Sequence, residues 1–329
     1  MKQKNRYIIF ILFVLGAYVI AVAVAMALGD EVWSIGRLFA VLCGGGEEVD
    51  RQILYDLRLP RIAMAILIGM LLASSGAVTQ SIFANPIADP YIIGIASAAS
   101  FGAVVAYILG LADFYFGIFG FVFCVVFSLV IFKLQKYANI TTLLIIGIAI
   151  SSFLGALTSL CIYYIGENSF KIVAWLMGYL GLASWDKVGL LLVPLVVCMG
   201  YFYAKRYEMN IILSGDEEAR NLGVNAKVLK RNLLIASSLG VSFAVAFSGL
   251  IGFVGLVIPH IVRLLVKDYN NAIVLPLCTA LGGVFLLCCD TLARSLLNVE
   301  LPIGIITAFF GAPVFLYLAL QTRRVSVGV

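Results

Sequence analysis

The stretch NLLIASSLGVSFAVAFSGLIGFVGLVIPHIV, residues 232–262, runs for 31 residues without an aspartate, glutamate, lysine or arginine. At about 1.5 Å per residue, a helix of this length overshoots a hydrocarbon layer of about 30 Å, yet it is too short for two ordinary crossings. Gly249, Gly252 and Gly255 lie near its middle. The stretch therefore predicts two shorter helices that meet near these glycines.

The composition of the whole chain is typical of a membrane protein. Of its 329 residues, 63% are hydrophobic and 12% are charged, whereas soluble proteins carry about 25% charged residues. Eight further windows lack charged side chains and are about long enough to cross a bilayer: 7–28, 62–80, 90–110, 114–132, 142–165, 188–204, 269–289 and 301–322. With the divided stretch, they predict an all-α integral membrane protein of about ten transmembrane helices in one domain, residues 1–329.

The distribution of charge predicts the orientation in the membrane. With ten crossings both basic ends of the chain lie on the same side; they hold Lys2, Lys4, Arg6, Arg323 and Arg324. That side collects 15 of the 22 lysines and arginines, which marks it as cytoplasmic. The net charge of +5 therefore indicates topology and contact with membrane lipid, not nucleic-acid binding. We expect a multi-pass protein of the cell membrane with both termini in the cytoplasm.

The N-terminus allows a second interpretation. MKQKNR followed by an apolar run that ends in Ala25-Met26-Ala27 is also typical of a signal peptide with its cleavage site. A signal core spans about 7–15 residues, whereas the run from Tyr7 to Leu28 is long enough to span the bilayer. The length favours an uncleaved first helix.

One segment between the windows has an interfacial composition. Residues 168–182 are too short to cross the membrane, and they include Trp175, with Trp185 close behind. Tryptophan is enriched where a membrane meets water. The segment predicts a helix that lies on the outer surface.

The longest cytoplasmic loop, residues 205–231, predicts a short charged helix at about 215–223. Ser214 stands three residues before Glu217, which is the spacing of a capping box. Asp216, Glu217 and Glu218 would occupy the first turn, where the helix dipole favours acids, and Gly223 would end the helix in a left-handed conformation. A merely solvated loop remains the alternative.

Two other loops contain polar or charged residues that suggest a function. In FANPIADP, residues 83–90, two prolines forbid a continuing helix and leave Asn85 and Asp89 to satisfy backbone groups; the loop is either a plain turn or part of a gate. On the outer side, LRLPR at 57–61 supplies two arginines, and Arg294 follows Asp290 by four residues. These arginines either lie at the interface and form an ion pair, or they provide a cationic docking surface.

Several motifs are missing from the sequence. No G-x-x-x-x-G-K-[ST] occurs, so the chain has no P-loop for ATP, and ATP hydrolysis would require a separate subunit. No H-E-x-x-H or G-x-S-x-G occurs either. We therefore expect no enzyme, no catalytic residue, no metal site and no cofactor.

The loops and glycine-rich stretches together resemble the FecCD-type permeases of type II ABC importers, a family that includes cobalamin, haem and ferric-siderophore permeases. The motifs that carry the resemblance cover nearly the whole chain: LRLPR (57–61), SSGAVTQSIFANPIADPYIIGI (74–95), GDEEARNLGV (215–224), GLIGFVGLVIPHIVRLL (249–265) and ELPIGIITAFFGAPVFLYL (300–318). The resemblance implies the cobalamin-permease fold with ten helices and a homodimer. It also implies two cytoplasmic ATP-binding subunits and an extracytoplasmic substrate-binding protein as partners.

The resemblance also implies roles for individual residues. Docking of the binding protein falls to Arg58, Arg61 and Arg294. A cytoplasmic gate falls to Asn85, Ile87, Thr141 and Thr142. Contact with the ATPase falls to Asp216, Glu217, Glu218, Ala219, Arg220, Leu222 and Gly223.

His260 is the only histidine in the chain and follows Pro259. It matches an I-P-H-I-x-R element that the family shares among permeases for different cargoes, and a single histidine cannot build a metal site unaided. We therefore expect a structural residue that satisfies backbone groups near the proline kink.

The expected function is an ATP-driven importer subunit that passes a metal chelate, such as a corrinoid, haem or ferric siderophore, into the cytoplasm by alternating access. An oxyanion such as molybdate or tungstate is the alternative cargo within the family. An ATP-independent carrier or channel is the alternative from another class.

Overall fold

The computed structural model describes residues 2–29, 32–91, 94–134, 140–297 and 299–326, and over these ranges the secondary structure is helical. A π-helical stretch, Ile53–Arg58, and a 3-10 turn, Gly166–Ser169, accompany the α-helices. The α-helices are α1 Lys2–Ala27, α2 Ile35–Leu42, α3 Glu48–Gln52, α4 Leu59–Phe83, α5 Ile95–Ile108, α6 Phe114–Leu134, α7 Ile140–Ile165, α8 Phe170–Leu176, α9 Trp185–Ala204, α10 Arg206–Ile212, α11 Asp216–Asn221, α12 Ala226–Ser248, α13 Val254–Val266, α14 Asn271–Ser295 and α15 Ile303–Ser326.

The described helices agree with the predicted number of crossings. Seven are long and apolar enough to span a membrane, and three shorter apolar helices, Ile95–Ile108, Val254–Val266 and Ile303–Tyr317, bring the total to ten. The long charge-free stretch is divided between α12 and α13, as its glycines predict. Gly249 ends α12 with a φ of 68°. The protein is an all-α, multi-pass membrane protein.

Helix α4 lies at the centre of the bundle and is buried on nearly all sides. A helix that is apolar all round is suited to such a position. Its neighbours approach closely at two glycines. A Cβ atom on Gly69 would lie 2.3 Å from the carbonyl oxygen of Gly282 in α14, and one on Gly76 would lie 1.8 Å from the carbonyl oxygen of Gly255 in α13.

The bundle has two ends, and each carries short helices. One end, here called the α11 face, holds α10 and α11, and there the Tyr7 hydroxyl donates to Asp268 over 2.6 Å. The opposite end, here called the α2 face, holds α2 and α3, which follow the end of α1. The candidate sites lie at these two ends.

The predicted interfacial helix at 168–182 is shorter in the structure. A 3-10 turn and α8 end at Leu176, and the chain then runs irregularly to α9. The backbone amides of Ile303 and Gly304 donate to the carbonyl groups of Gly178 and Met177 over 3.0 Å and 2.9 Å. These hydrogen bonds hold the chain at 177–178 against the start of α15, so this part does not continue as a helix on the surface.

Candidate functional site

Helix α11 forms the predicted charged helix, but its start differs from the prediction. Gly215, with a φ of 120°, is the N-cap and no side chain caps the helix, so the capping box from Ser214 is wrong. The predicted stop is confirmed. Gly223 has a φ of 80°, and the amides of Gly223 and Val224 donate to the carbonyl groups of Arg220 and Ala219 over 3.0 Å and 2.8 Å. This pattern satisfies the last carbonyl groups of a helix.

One side of α11 faces away from the bundle. Glu217, Glu218 and Arg220 are exposed, and the exposed fraction of Leu222 is 67%. Ala219 is fully buried. Its predicted place in a partner contact is therefore wrong, because at this spacing it packs inward between the exposed residues.

Helix α11 is fastened to the helix that follows it. The Lys230 ammonium of α12 lies 2.5 Å from the Asp216 carboxylate. An open groove of about 410 Å³ lies beside α11 and is lined by Asp216, Arg220, Gly223, Val224, Asn225, Ala226 and Lys227. Asp216 thus holds the start of α11 against α12, which leaves the exposed side of α11 for a partner.

Helix α10 joins α11 to the core through a network of amide side chains. The Asn210 Nδ2 atom donates to Asn270 over 2.8 Å, and Asn210 Oδ1 accepts from the backbone and side chain of Asn271 over 2.8 Å and 2.9 Å. Ser81 at the end of α4 donates to Asn271 over 3.1 Å. This network links α10, α14 and α4. Sequence reasoning missed it, because three asparagines at distant positions carry no signature.

Glu208, the carboxylate on α10, also has a charged partner. Lys205 donates to Glu208 over 2.9 Å, and this hydrogen bond lowers the pKa of the Glu208 carboxyl group. Glu208 therefore stays ionised at neutral pH, and it forms an ion pair with Lys205 on the α11 face.

The three arginines predicted to dock a partner lie together on the α2 face, but they are buried. Arg58, Arg61 and Arg294 have exposed fractions of 6%, 9% and 8%. Arg61 and Arg294 both pair with Asp290, which is fully buried, over 2.8 Å and 3.2 Å. Arg61 also pairs with Glu300 over 2.5 Å. The expectation of an exposed cationic surface is therefore wrong, because Arg61 and Arg294 compensate the buried Asp290. The role of the three arginines in docking a partner stays a prediction.

Arg58 is held by aromatic and backbone groups. Its guanidinium group stacks on the Trp33 ring, 4.3 Å from the centroid, and donates to the carbonyl groups of Met26 and Ala27 at the end of α1. The three arginines line a cavity of about 330 Å³ together with Trp33, Tyr179 and Glu300. Their charge is thus reached through this cavity and not across a flat surface.

The structure assigns the role expected of His260 to another residue. Within the described ranges the His260 ring makes no hydrogen bond, so its expected contact with freed backbone groups is wrong. Pro259 lacks an N–H group, which leaves the Gly255 carbonyl without its helical donor. The buried Gln80 side chain donates to the carbonyl groups of Gly255 and Leu256 over 3.5 Å and 3.1 Å. It also accepts from Arg263.

The predicted gate residues occupy two elements. Asn85 Oδ1 accepts from the Ile87 amide over 2.9 Å, and Asp89 Oδ1 accepts from the Tyr91 amide over 2.7 Å. The loop therefore has the side-chain turns predicted for it. Thr142 is exposed at the start of α7, and the Thr141 side chain lies outside the described residues. No hydrogen bond joins Asn85 or Ile87 to the part of α7 that is described, so the gate stays a prediction.

Known proteins match this chain along most of its length. Residues 17–321 match the model of the FecCD transport family. The cobalamin import system permease protein of Halobacterium salinarum is 40% identical, over 85% of this chain and 76% of its own. The molybdate import system permease protein of Haemophilus influenzae is 34% identical, over 93% and 94%. A solved structure described as an inward-facing metal-chelate-type ABC transporter has a TM-score of 0.85 at 33% identity, over 94% and 98%.

Proposed function

The chain belongs to the FecCD transport family, and from this premise we propose that it is the transmembrane permease subunit of an ATP-driven importer. The main support for this proposal is the structure of helix α11. It is a short, charged helix, held to α12 by one ion pair and ended by a left-handed glycine, and one side of it is free for a partner. A permease without a P-loop requires such a contact to receive energy from a separate ATPase.

We propose a metal chelate as the cargo. The similarity to a metal-chelate-type ABC transporter and to a cobalamin permease supports a corrinoid, haem or ferric siderophore. The similarity to a molybdate permease favours an oxyanion as the second candidate. The ligand retained by the partner binding protein on purification would distinguish the two classes of cargo.

In the proposed assembly the α11 face is cytoplasmic. Two copies of the chain enclose the pathway, two ATP-binding subunits contact the α11 faces, and a substrate-binding protein docks on the α2 faces. Carboxylates of that protein would reach Arg58, Arg61 and Arg294 through the cavity that these residues line. Guanidinium groups suit this task, because their planar donors match a carboxylate. Asn85, Ile87, Thr141 and Thr142 remain the proposed cytoplasmic gate.

The contacts of α10 suggest how movement of α11 is transmitted. A displacement of α11 passes to α10 through the short connection at 213–215, and Asn210 then carries it to α14 and to the end of α4. Hydrogen bonds in a network strengthen one another, so we expect the linked helices to move together. Asn210 is therefore proposed as a positioning residue for coupling.

Uptake into reconstituted vesicles tests the proposed function. We expect import of a metal chelate only when the ATPase, ATP and the binding protein are all present, because no P-loop motif occurs in the sequence. The measurement is accumulation of labelled cargo against time. Uptake that continues without the ATPase and ATP would indicate a carrier or channel and would refute the importer.

We expect Gly223→Val to separate ATP hydrolysis from transport. Valine at a φ of 80° costs about 1 kcal/mol or more, so the end of α11 should loosen while the bundle stays folded. The number of ATP molecules hydrolysed per cargo molecule should rise several-fold.

A matched control is available on the α2 face. Gly110 ends α5 with a φ of 68° and open space around it, and its amide and that of Leu111 form the same pair of bonds, to Tyr107 and Ala106, over 3.0 Å and 3.2 Å. Gly110→Val should cost similar stability and keep normal coupling. Equal coupling in both variants would exclude α11 as the transmission element.

A further inference from the structure

A cavity of about 220 Å³ lies between α6, α9 and α12, in the half of the bundle near the α2 face. Its wall is mainly aromatic and aliphatic, with Phe114, Phe121, Leu190, Phe243 and Phe247. The rings of Phe121 and Phe243 are 4.6 Å apart. The cavity is separate from the proposed ATPase contact, and it shares Tyr179 with the lining of the arginine cavity.

The cavity opens towards the surroundings of the bundle. Phe114 and Leu190 have exposed fractions of 57% and 55%, and they lie on helices that are long and apolar enough to span a membrane. Helices α6 and α9 both begin at the α2 face, and Phe121 lies seven residues into α6, which is about 10 Å along the helix. The cavity therefore extends from headgroup depth into the hydrocarbon layer.

Lys187 lies at the polar end of the cavity. The Lys187 ammonium group donates to the Leu182 carbonyl over 2.5 Å. Asp113, the acidic residue of the lining, pairs with Lys171 over 2.7 Å. Among the described residues no carboxylate lies within ion-pair distance of Lys187. An ammonium group has three donors, so Lys187 retains capacity for an anion.

We propose that this cavity binds one phospholipid from the leaflet at the α2 face. Its phosphate would bind Lys187, and part of one acyl chain would fill the space between Phe121, Phe243 and Leu190. A phospholipid matches the site in both respects, since it carries a negative charge at one end and an apolar chain that reaches about 10 Å or more into the layer. A protein partner would require a broader surface than this narrow cavity offers.

Lipid retention tests the proposal without any transport assay. The protein would be purified in mild detergent, washed to remove loosely bound lipid, and examined by native mass spectrometry for bound phospholipid. We expect one phospholipid on the parent protein, and an occupancy at least tenfold lower for Lys187→Glu and for Leu190→Trp, which introduces a bulky ring into the cavity. Arg51→Glu is the control. It makes the same change of charge as Lys187→Glu at an exposed residue of the same face, and this variant should retain the lipid.

A second measurement guards against a variant that folds poorly. Delipidated protein would be melted with added phosphatidylglycerol or with inorganic phosphate. We expect phosphatidylglycerol to raise the melting temperature of the parent and of Arg51→Glu, but not that of Lys187→Gln, and inorganic phosphate to have no effect. Equal lipid retention by Lys187→Glu and the parent would overturn the proposal. So would an equal response to inorganic phosphate alone.

Discussion

Replacing Asp290 with alanine should destabilise the protein by about 3–5 kcal/mol, because it leaves two buried guanidinium groups without their shared acid. Asp290 is fully buried and pairs with Arg61 over 2.8 Å and with Arg294 over 3.2 Å. Each charge was removed from water on folding. Glu300 still accepts from Arg61 after the substitution, and the Leu28 and Ala25 carbonyl groups still accept from Arg294, but no carboxylate replaces Asp290 between the two guanidinium groups. We expect most of the Asp290→Ala protein to be lost from the membrane fraction and the remainder to melt at a much lower temperature.

A second aspartate on the same face supplies the control. Asp50 pairs with Arg37 over 2.6 Å, but 41% of the Arg37 side chain is exposed. Water can solvate that guanidinium group, so Asp50→Ala should cost about 1 kcal/mol or less. In a double-mutant cycle, Asp290→Ala with Arg61→Met should cost less than the sum of the single changes. If Asp290→Ala and Asp50→Ala lowered stability equally, the argument from burial would fail.

Gly76→Ala should prevent normal packing of the central helix. A Cβ atom at this position would lie 1.8 Å from the Gly255 carbonyl oxygen and 2.5 Å from its Cα atom. The obstacle is backbone, so no side-chain rotation can relieve it, and α4 and α13 must move apart. Overpacking usually costs about 1–3 kcal/mol, and we expect a value at or above the upper end. Thermal unfolding of the purified protein measures this loss.

Gly189 offers a matched substitution. It lies within α9, and a Cβ atom there would have nothing within 4 Å. Gly189→Ala should leave stability unchanged or raise it slightly, because alanine is the better helix former. A Gly76→Ala protein that unfolds at the temperature of Gly189→Ala would contradict the close approach of α4 and α13.

Some features of the candidate sites were predictable and others were not. Gly223 was predictable as a helix stop, because a left-handed residue at that place must be glycine or one of few others. The N-cap of α11 was not predictable. Ser214 has the spacing of a capping box, but the helix begins after Gly215 and no side chain caps it. The side chain that donates to the free carbonyl group near Pro259 was also not predictable. The donor, Gln80, lies far away in the sequence, and only the packing of α4 against α13 brings it there.

The sequence by itself determined the class of protein, the number of apolar helices and the break between α12 and α13. These features depend on local composition, because a bilayer requires about 20 apolar residues per crossing and glycines permit a chain to turn. Only the tertiary structure decided that Arg61 is buried against Asp290, 229 residues away in the chain. The physical reason is that α4 and α14 approach closely at Gly69 and Gly282. That approach takes both charges out of water together, and no local pattern in either helix encodes it.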